Sequence, residues 1–220
     1  MVVTIGYWDQ IRGRIQDIRL LLENVGEKYE FQQWSMERYG EWFQKKESMP
    51  FPFPNLPYLI DGDVKLTQSR AIMQYLGRKH GLAAVTEPER QQEGVIDGVL
   101  SELREKWTVL MYASPNFEED RKTYETQKLR PLLKQLDCYL ADKEYLVGNR
   151  LTYNDFTFYE LVDYNQLLIP GLLDDYPNVK KLHQKIPLLP GIKEFLASDR
   201  SPNPKHINGG PAPWGKPGQS

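Results

Sequence analysis

A single change of period constrains this chain more than any other feature. Over the first eighty residues short β-branched runs take turns with helical spacing; from about residue 88 the strand signals vanish and long helical patterns remain. Such an order builds a small α/β unit followed by an all-helical one. Val2, Val3, Thr4 and Ile5 read as a buried strand stopping at Gly6 and Tyr7. Ile15, Ile18, Leu21, Leu22 and Val25 then recur at helical spacing with Gln16, Arg19 and Glu23 between them, and the helix ends at Gly26. With Tyr29 to Trp34 as a second strand, this order implies a parallel pair joined by a right-handed crossover.

The aromatic and basic stretch Trp42-Phe43-Gln44-Lys45-Lys46 comes next, followed by Phe51-Pro52-Phe53-Pro54-Asn55-Leu56-Pro57, whose prolines forbid regular helix and predict an extended surface loop. Tyr58-Leu59-Ile60, the turn Asp61-Gly62-Asp63 and Val64-Lys65-Leu66 predict a hairpin, and Gln68 to Lys79 a helix with Ala71, Ile72, Tyr75 and Leu76 on one side. The domain therefore reads βαβ-ββα. Its expected bounds are 1–82, with a linker over 83–88 and a helical domain over 89–220. In that second domain Val95, Val99, Leu103, Trp107 and Leu110, and then Leu129, Leu132, Leu136 and Leu140, mark core faces. Thr152-x-x-Asp155 has the form of a capping box, and the Pro- and Gly-rich tail from Ser198 has no period.

Charge narrows the function classes. Twenty-eight basic against thirty acidic side chains leave a net charge of -2, with no polybasic footprint for nucleic acid. One cysteine, Cys138, excludes an internal disulfide framework, fits a reducing compartment and reads as a helix-face residue. His80, His183 and His206 are scattered, so no metal site is expected. No segment approaches the roughly 18 apolar residues of a membrane span, and the start lacks the basic and apolar regions of a signal peptide. The expectation is a cytoplasmic protein with no membrane partner.

In open α/β sheets ligands favour the carboxyl ends of strands, where Tyr7-Trp8 stands. Taken alone, Tyr7 reads as a core tyrosine with a satisfied hydroxyl rather than a catalytic one. Its context is more specific. Gly6-Tyr7-Trp8-Asp9, Ile11-Arg12-Gly13 and Ile18-Arg19-Leu20-Leu21-Leu22-Glu23 resemble the opening of mu-class glutathione transferases. Phe53-Pro54-Asn55-Leu56-Pro57-Tyr58-Leu59-Ile60-Asp61-Gly62, Thr67-Gln68-Ser69, Arg78-Lys79-His80, Gly148-Asn149, Thr152-x-x-Asp155-Phe156 and Trp214-Gly215 extend the resemblance over nearly the whole chain.

The resemblance implies a thioredoxin-like first domain, a helical-bundle second domain, glutathione as co-substrate with no permanently bound cofactor, and detoxifying conjugation of hydrophobic electrophiles. Tyr7 would donate a hydrogen bond to the glutathione sulfur. A free thiol of pKa near 8.5 is only roughly 3% thiolate at neutral pH. A hydrogen bond to the charged form contributes about 1.5–3 kcal/mol, or roughly one to two pKa units. Further glutathione contacts implied are Trp8, Trp42, Lys46, Asn55, the Leu56 backbone before a cis Pro57, Gln68 and Ser69 at a helix N-terminus, and Glu102 of a neighbouring subunit. Trp8, Ile11, Met111 and Tyr112 would wall the electrophile pocket, and Phe53 would lock a homodimer.

Departures from the class pattern are the extra Gln10, a shorter segment between Trp34 and Trp42, and Gly209 where the class often has serine over the second-substrate site. Two other functions stay open at this point: a glutathione-dependent isomerase of one dedicated substrate, and a catalytically poor ligand-binding relative.

Overall fold

The computed structural model describes residues 2–218; the expected domain ends at 1 and 220 lie outside them. Strand β1 (Val3–Trp8) is central, with β2 (Tyr29–Trp34) parallel on one side and β3 (Tyr58–Asp61) antiparallel on the other, where β4 (Val64–Thr67) completes the order β2-β1-β3-β4. Helix α1 (Gln16–Val25) makes the crossover and stops at Gly26, whose left-handed φ of 67° lets its amide cap the last turn. Ile15, Ile18, Leu20, Leu21 and Leu22 are fully buried, each contributing about 1.5–3 kcal/mol by burial. The polar positions of α1 do not form a solvated face. Gln16 and Arg19 are buried, because the helical domain and the tail cover that side: Arg19 donates to the Arg200 carbonyl.

The stretch around Trp42 is helical. Helix α2 (Tyr39–Lys46) leads into the proline loop, in which Phe51 is buried rather than exposed while Phe53 projects, 79% exposed. The Leu56–Pro57 peptide is cis, as expected. Helix α3 (Ser69–Lys79) follows β4.

Helix α4 (Glu87–Tyr112) begins earlier than expected, so Glu87 and Pro88 of the anticipated linker form its first turn, and Thr86 with Glu89 closes a capping box. Its core face is Ile96, Leu100, Leu103, Trp107 and Leu110, whereas Val95 points outward. Helix α5 (Phe117–Tyr124) runs through a wide turn, Glu125–Leu129, into α6 (Arg130–Tyr139), which carries the exposed Cys138. Central to the bundle is α7 (Tyr153–Leu168), capped by Thr152 and Asp155, with α8 (Pro177–Lys185) and α9 (Ile192–Leu196) after it. Among the described residues no helix is long and apolar enough to cross a membrane, and no group of three His, Cys, Asp or Glu side chains could hold a metal.

The domains are joined closely. Tyr153 lies against Gly77, where an added Cβ would sit 2.5 Å from its ring, and the Tyr153 amide donates to the Leu82 carbonyl at 2.8 Å. On the same border the Asp97 carboxylate accepts from Arg70, Gln74, Tyr153 and Asn154 at 2.6–3.1 Å, tying α3 to α4 and α7.

Candidate active site

A cavity of about 680 Å³ opens at the carboxyl end of β1, between the domains. Its wall combines Tyr7, Trp8, Ile11 and Arg14 with Met36, Tyr39 and Phe43, with Asn55, Leu56, Pro57, Gln68 and Ser69, and with Tyr112 and Gly209 to Pro211. This volume lies within the roughly 300–1,000 Å³ of small-molecule sites.

Tyr7 is nearly buried, and its hydroxyl accepts a hydrogen bond from the Arg14 amide at 3.0 Å. Burial pushes that hydroxyl up to about 12, against the Arg14 amide, which favours the phenolate. The group therefore keeps its proton at neutral pH, and with a lone pair engaged by the backbone its O–H is left to donate into the cavity. The approach of the Arg14 amide depends on Gly13. That residue has φ of +45°, and a Cβ there would lie 2.4 Å from the tyrosine ring.

The loop carrying Gly13 is held from behind. Its neighbour Arg12 is buried and pairs with Glu160 at 2.8 Å and Asp163 at 2.6 Å on α7, while its third partner is the Pro204 carbonyl at 2.9 Å. Burial pushes the Glu160 carboxyl up, and Arg12 opposes it. His183, stacked on Tyr159, completes the cluster 3.0 Å from Asp163. The Arg12 and Gly13 amides donate to the His206 and Ile207 carbonyls at 2.8 and 3.0 Å. The irregular tail is thus hydrogen-bonded to the loop that follows β1.

Of the expected glutathione contacts, Tyr7, Trp8, Asn55, Leu56, Gln68 and Ser69 line the cavity together. Helix α3 begins at the cavity wall with Ser69 and has no acidic residue in its first turn, which suits an anion. Gln68 takes the left-handed φ of 71° just before that helix. The Leu56 amide already donates to Asn55 Oδ1 at 2.9 Å, so pairing it with a ligand backbone requires Asn55 to turn away, freeing both groups at once.

Trp42 and Lys46 are not on the wall. Trp42 is 3% exposed and packs edge-on against Trp34 at 5.0 Å and over Tyr58 at 6.4 Å. Glu102 is exposed on α4 and pairs with Lys106 at 3.1 Å, outside the cavity of its own chain. Of the electrophile-side residues, Trp8, Ile11 and Tyr112 are on the wall, whereas Met111 is sealed in the core. The Tyr112 hydroxyl accepts from the Gly209 amide at 3.2 Å, and burial of that end pushes it up.

Sequence reasoning missed Arg14, Met36, Tyr39 and Phe43. Arg14 donates to Thr108 Oγ1 at 2.9 Å and brings a positive charge beside Tyr7. Its signal was its place two residues after Arg12, across the left-handed Gly13. The extra Gln10 also takes a left-handed φ, 60°, and lets Asp9 turn back to accept the Met36 amide at 3.1 Å.

Residues 3–78 match the family model for the glutathione S-transferase N-terminal domain, and residues 101–199 that for the C-terminal domain. The class-mu 26 kDa isozyme 7 of Fasciola hepatica is 40% identical, over 91% of this chain and 90% of that protein. Glutathione S-transferase Mu 1 of Oryctolagus cuniculus is 38% identical, over 91% and 93%. Among solved structures, the glutathione S-transferase Blo t 8 superposes with a TM-score of 0.82 at 30% identity, covering 89% of this chain and 92% of that one. Prostaglandin synthase D of Nilaparvata lugens shares the fold, with a TM-score of 0.81 at 20% identity, covering 92% and 100%. The chain belongs to the glutathione S-transferase family, with its curated relatives in the mu class.

Proposed function

We propose that this enzyme binds glutathione along Asn55, Leu56, Gln68 and Ser69 with its sulfur at the Tyr7 hydroxyl, and conjugates it to hydrophobic electrophiles held by Trp8, Ile11 and Tyr112. The observation that carries this reading is the Tyr7 hydroxyl, kept protonated by burial and already accepting the Arg14 amide, so that its donor faces the cavity. It stabilises thiolate over thiol, and the fixed positive charge of Arg14 acts in the same sense. The sulfur then forms a bond to carbon. With an aryl halide, the halide leaves with the bonding electrons and the thiol proton goes to solvent.

The γ-glutamyl carboxylate belongs at the start of α3, where free amides and the helix dipole favour it. Trp42, on α2, and Lys46, on its last turn, supply donors for the glycyl carboxylate from outside the wall described above. The ammonium needs a carboxylate, which Glu102 of a second copy supplies in a symmetric dimer. Phe53, with its side chain projecting from the proline loop, is the contact that holds such a dimer. Phe53→Ser is expected to shift sedimentation towards monomer, and an unchanged dimer excludes the lock. The reading places the enzyme in the cytoplasm, in detoxification.

The direct test is the glutathione-dependent rate with a small aryl halide, together with a calorimetric titration of glutathione. Saturable turnover is expected. Glutathione binding without aryl-halide turnover would turn the reading to a dedicated isomerase or a ligand-binding relative.

A further inference from the structure

Helix α2 presents two faces of different character. Trp42 anchors one of them in the aromatic cluster of Trp34, Phe51 and Tyr58, which fixes the roll of the helix about its axis. The other face carries Tyr39 and Phe43, one turn apart, and both side chains line the cavity. They are 63% and 56% exposed, so two large aromatic rings on a functional wall cover little of the protein itself. Their centroids are 6.1 Å apart with planes at 85°, forming a corner in which one ring offers its face and the other its edge. Met36, three residues before Tyr39, continues the wall with a thioether, a group that also packs well on aromatic rings.

A flat ring system is the guest that satisfies both sides of such a corner, stacking on one ring and meeting the edge of the other. Glutathione has no aromatic group, so the corner is not accounted for by the co-substrate. We infer that Tyr39 and Phe43 are specificity-determining residues that recognise the fused-ring part of planar aromatic electrophiles. This inference rests on the transferase reading for its chemistry. The corner contributes affinity and orientation only; the carbon–sulfur bond forms at the thiolate, and the halide and proton leave as with any aryl halide.

The experiment compares the native enzyme with Tyr39→Leu, Phe43→Leu and Tyr39→Phe. The substrates are a chloronitronaphthalene, a chlorodinitrobenzene and an aliphatic unsaturated aldehyde. Affinities for S-naphthylmethyl- and S-methylglutathione are measured by calorimetry. Removing either ring is expected to lower kcat/KM for the naphthalene and affinity for the naphthylmethyl conjugate by about 3- to 10-fold, the scale of one aromatic contact. Turnover of the aldehyde, affinity for the methyl conjugate and the KM for glutathione stay within about twofold. Tyr39→Phe, which keeps the ring, retains the preference.

Equal losses on all three substrates, or a raised KM for glutathione, would assign α2 to glutathione binding and overturn the inference, as would no loss at all. Melting temperatures of these surface variants check that the fold is intact. If the native enzyme turned over no electrophile, the transferase reading would fail instead, and the paired conjugate affinities would still decide whether the aromatic corner recognises a fused ring.

Discussion

On one side of the cavity Tyr7 is positioned by main chain and buried charge: the Arg14 amide, a left-handed turn and close approach that call for glycine at Gly13, and Arg12 set between two carboxylates of α7. On the opposite side Met36, Tyr39, Phe43 and Gly209 come from a loop, a short helix and the tail, with Met36 against the Gly209 backbone and the Tyr39 and Phe43 rings against each other. The first side has few alternatives open to it, since each group there is committed to a partner. The second can exchange side chains without breaking the sheet. Conserving the chemistry while varying the substrate calls for such a division, with pre-organised donors on one wall and replaceable apolar surface on the other.

The contrast can be broken hardest at Arg12. Arg12→Ala would leave Glu160 and Asp163 facing each other in the interior without their cation, and is expected to cost about 3–5 kcal/mol of stability, read from denaturant midpoints. A loss under about 1 kcal/mol would mean that the pair is not what holds the loop. Gly13→Ala comes next. Its methyl group would have to displace the Tyr7 ring, and a shift of about 1 Å in a catalytic group can cost about 100-fold in rate. Steady-state kinetics should show that loss in kcat/KM for every electrophile alike.

The smallest effect belongs to the far wall. A Cβ on Gly209 would meet the Met36 methyl at 2.1 Å and Ile11 Cδ1 at 3.4 Å, but methionine is flexible and can swing aside. Gly209→Ala is therefore expected to alter electrophile preference by only a few fold, about 1 kcal/mol or less, with Met36→Ala relieving it in the double variant. Strict additivity of the two would show that they do not meet in solution.

Much of the wall around Tyr7 was legible in the sequence. The run Val2 to Ile5 and the stop at Gly6-Tyr7 placed a tyrosine near a strand end, the turn at Asp61-Gly62-Asp63 marked the hairpin, and helical spacing located α1 and α3. What periodicity could not report was which polar residue finds a distant partner. Arg12 meets Glu160 across 148 residues of sequence, and Arg19 is buried because the tail returns over α1. Val95 looked like core by spacing but faces outward, one position off the buried stripe that begins at Ile96. The far wall was least legible. Trp42 and Phe43 are adjacent and chemically alike, and only the roll of α2 decides that the first is buried and the second lines the cavity.

The central claim is that the Tyr7 hydroxyl lowers the pKa of bound glutathione, and a titration of the thiol in the complex tests it directly, by ultraviolet difference absorbance of the thiolate in the native enzyme and in Tyr7→Phe. Because the tyrosine itself is pushed up to about 12, it stays protonated over the accessible range and the titration reports the thiol. The hydrogen bond favours the charged form, so the native thiol ionises at lower pH. The account predicts a pKa roughly one to two units lower in the native enzyme than in the variant, with the rate difference largest at neutral pH and closing as the pH rises past the variant's thiol pKa. Equal thiol pKa values in the two complexes would contradict it, and would leave the fixed charge of Arg14 as the group that makes the nucleophile.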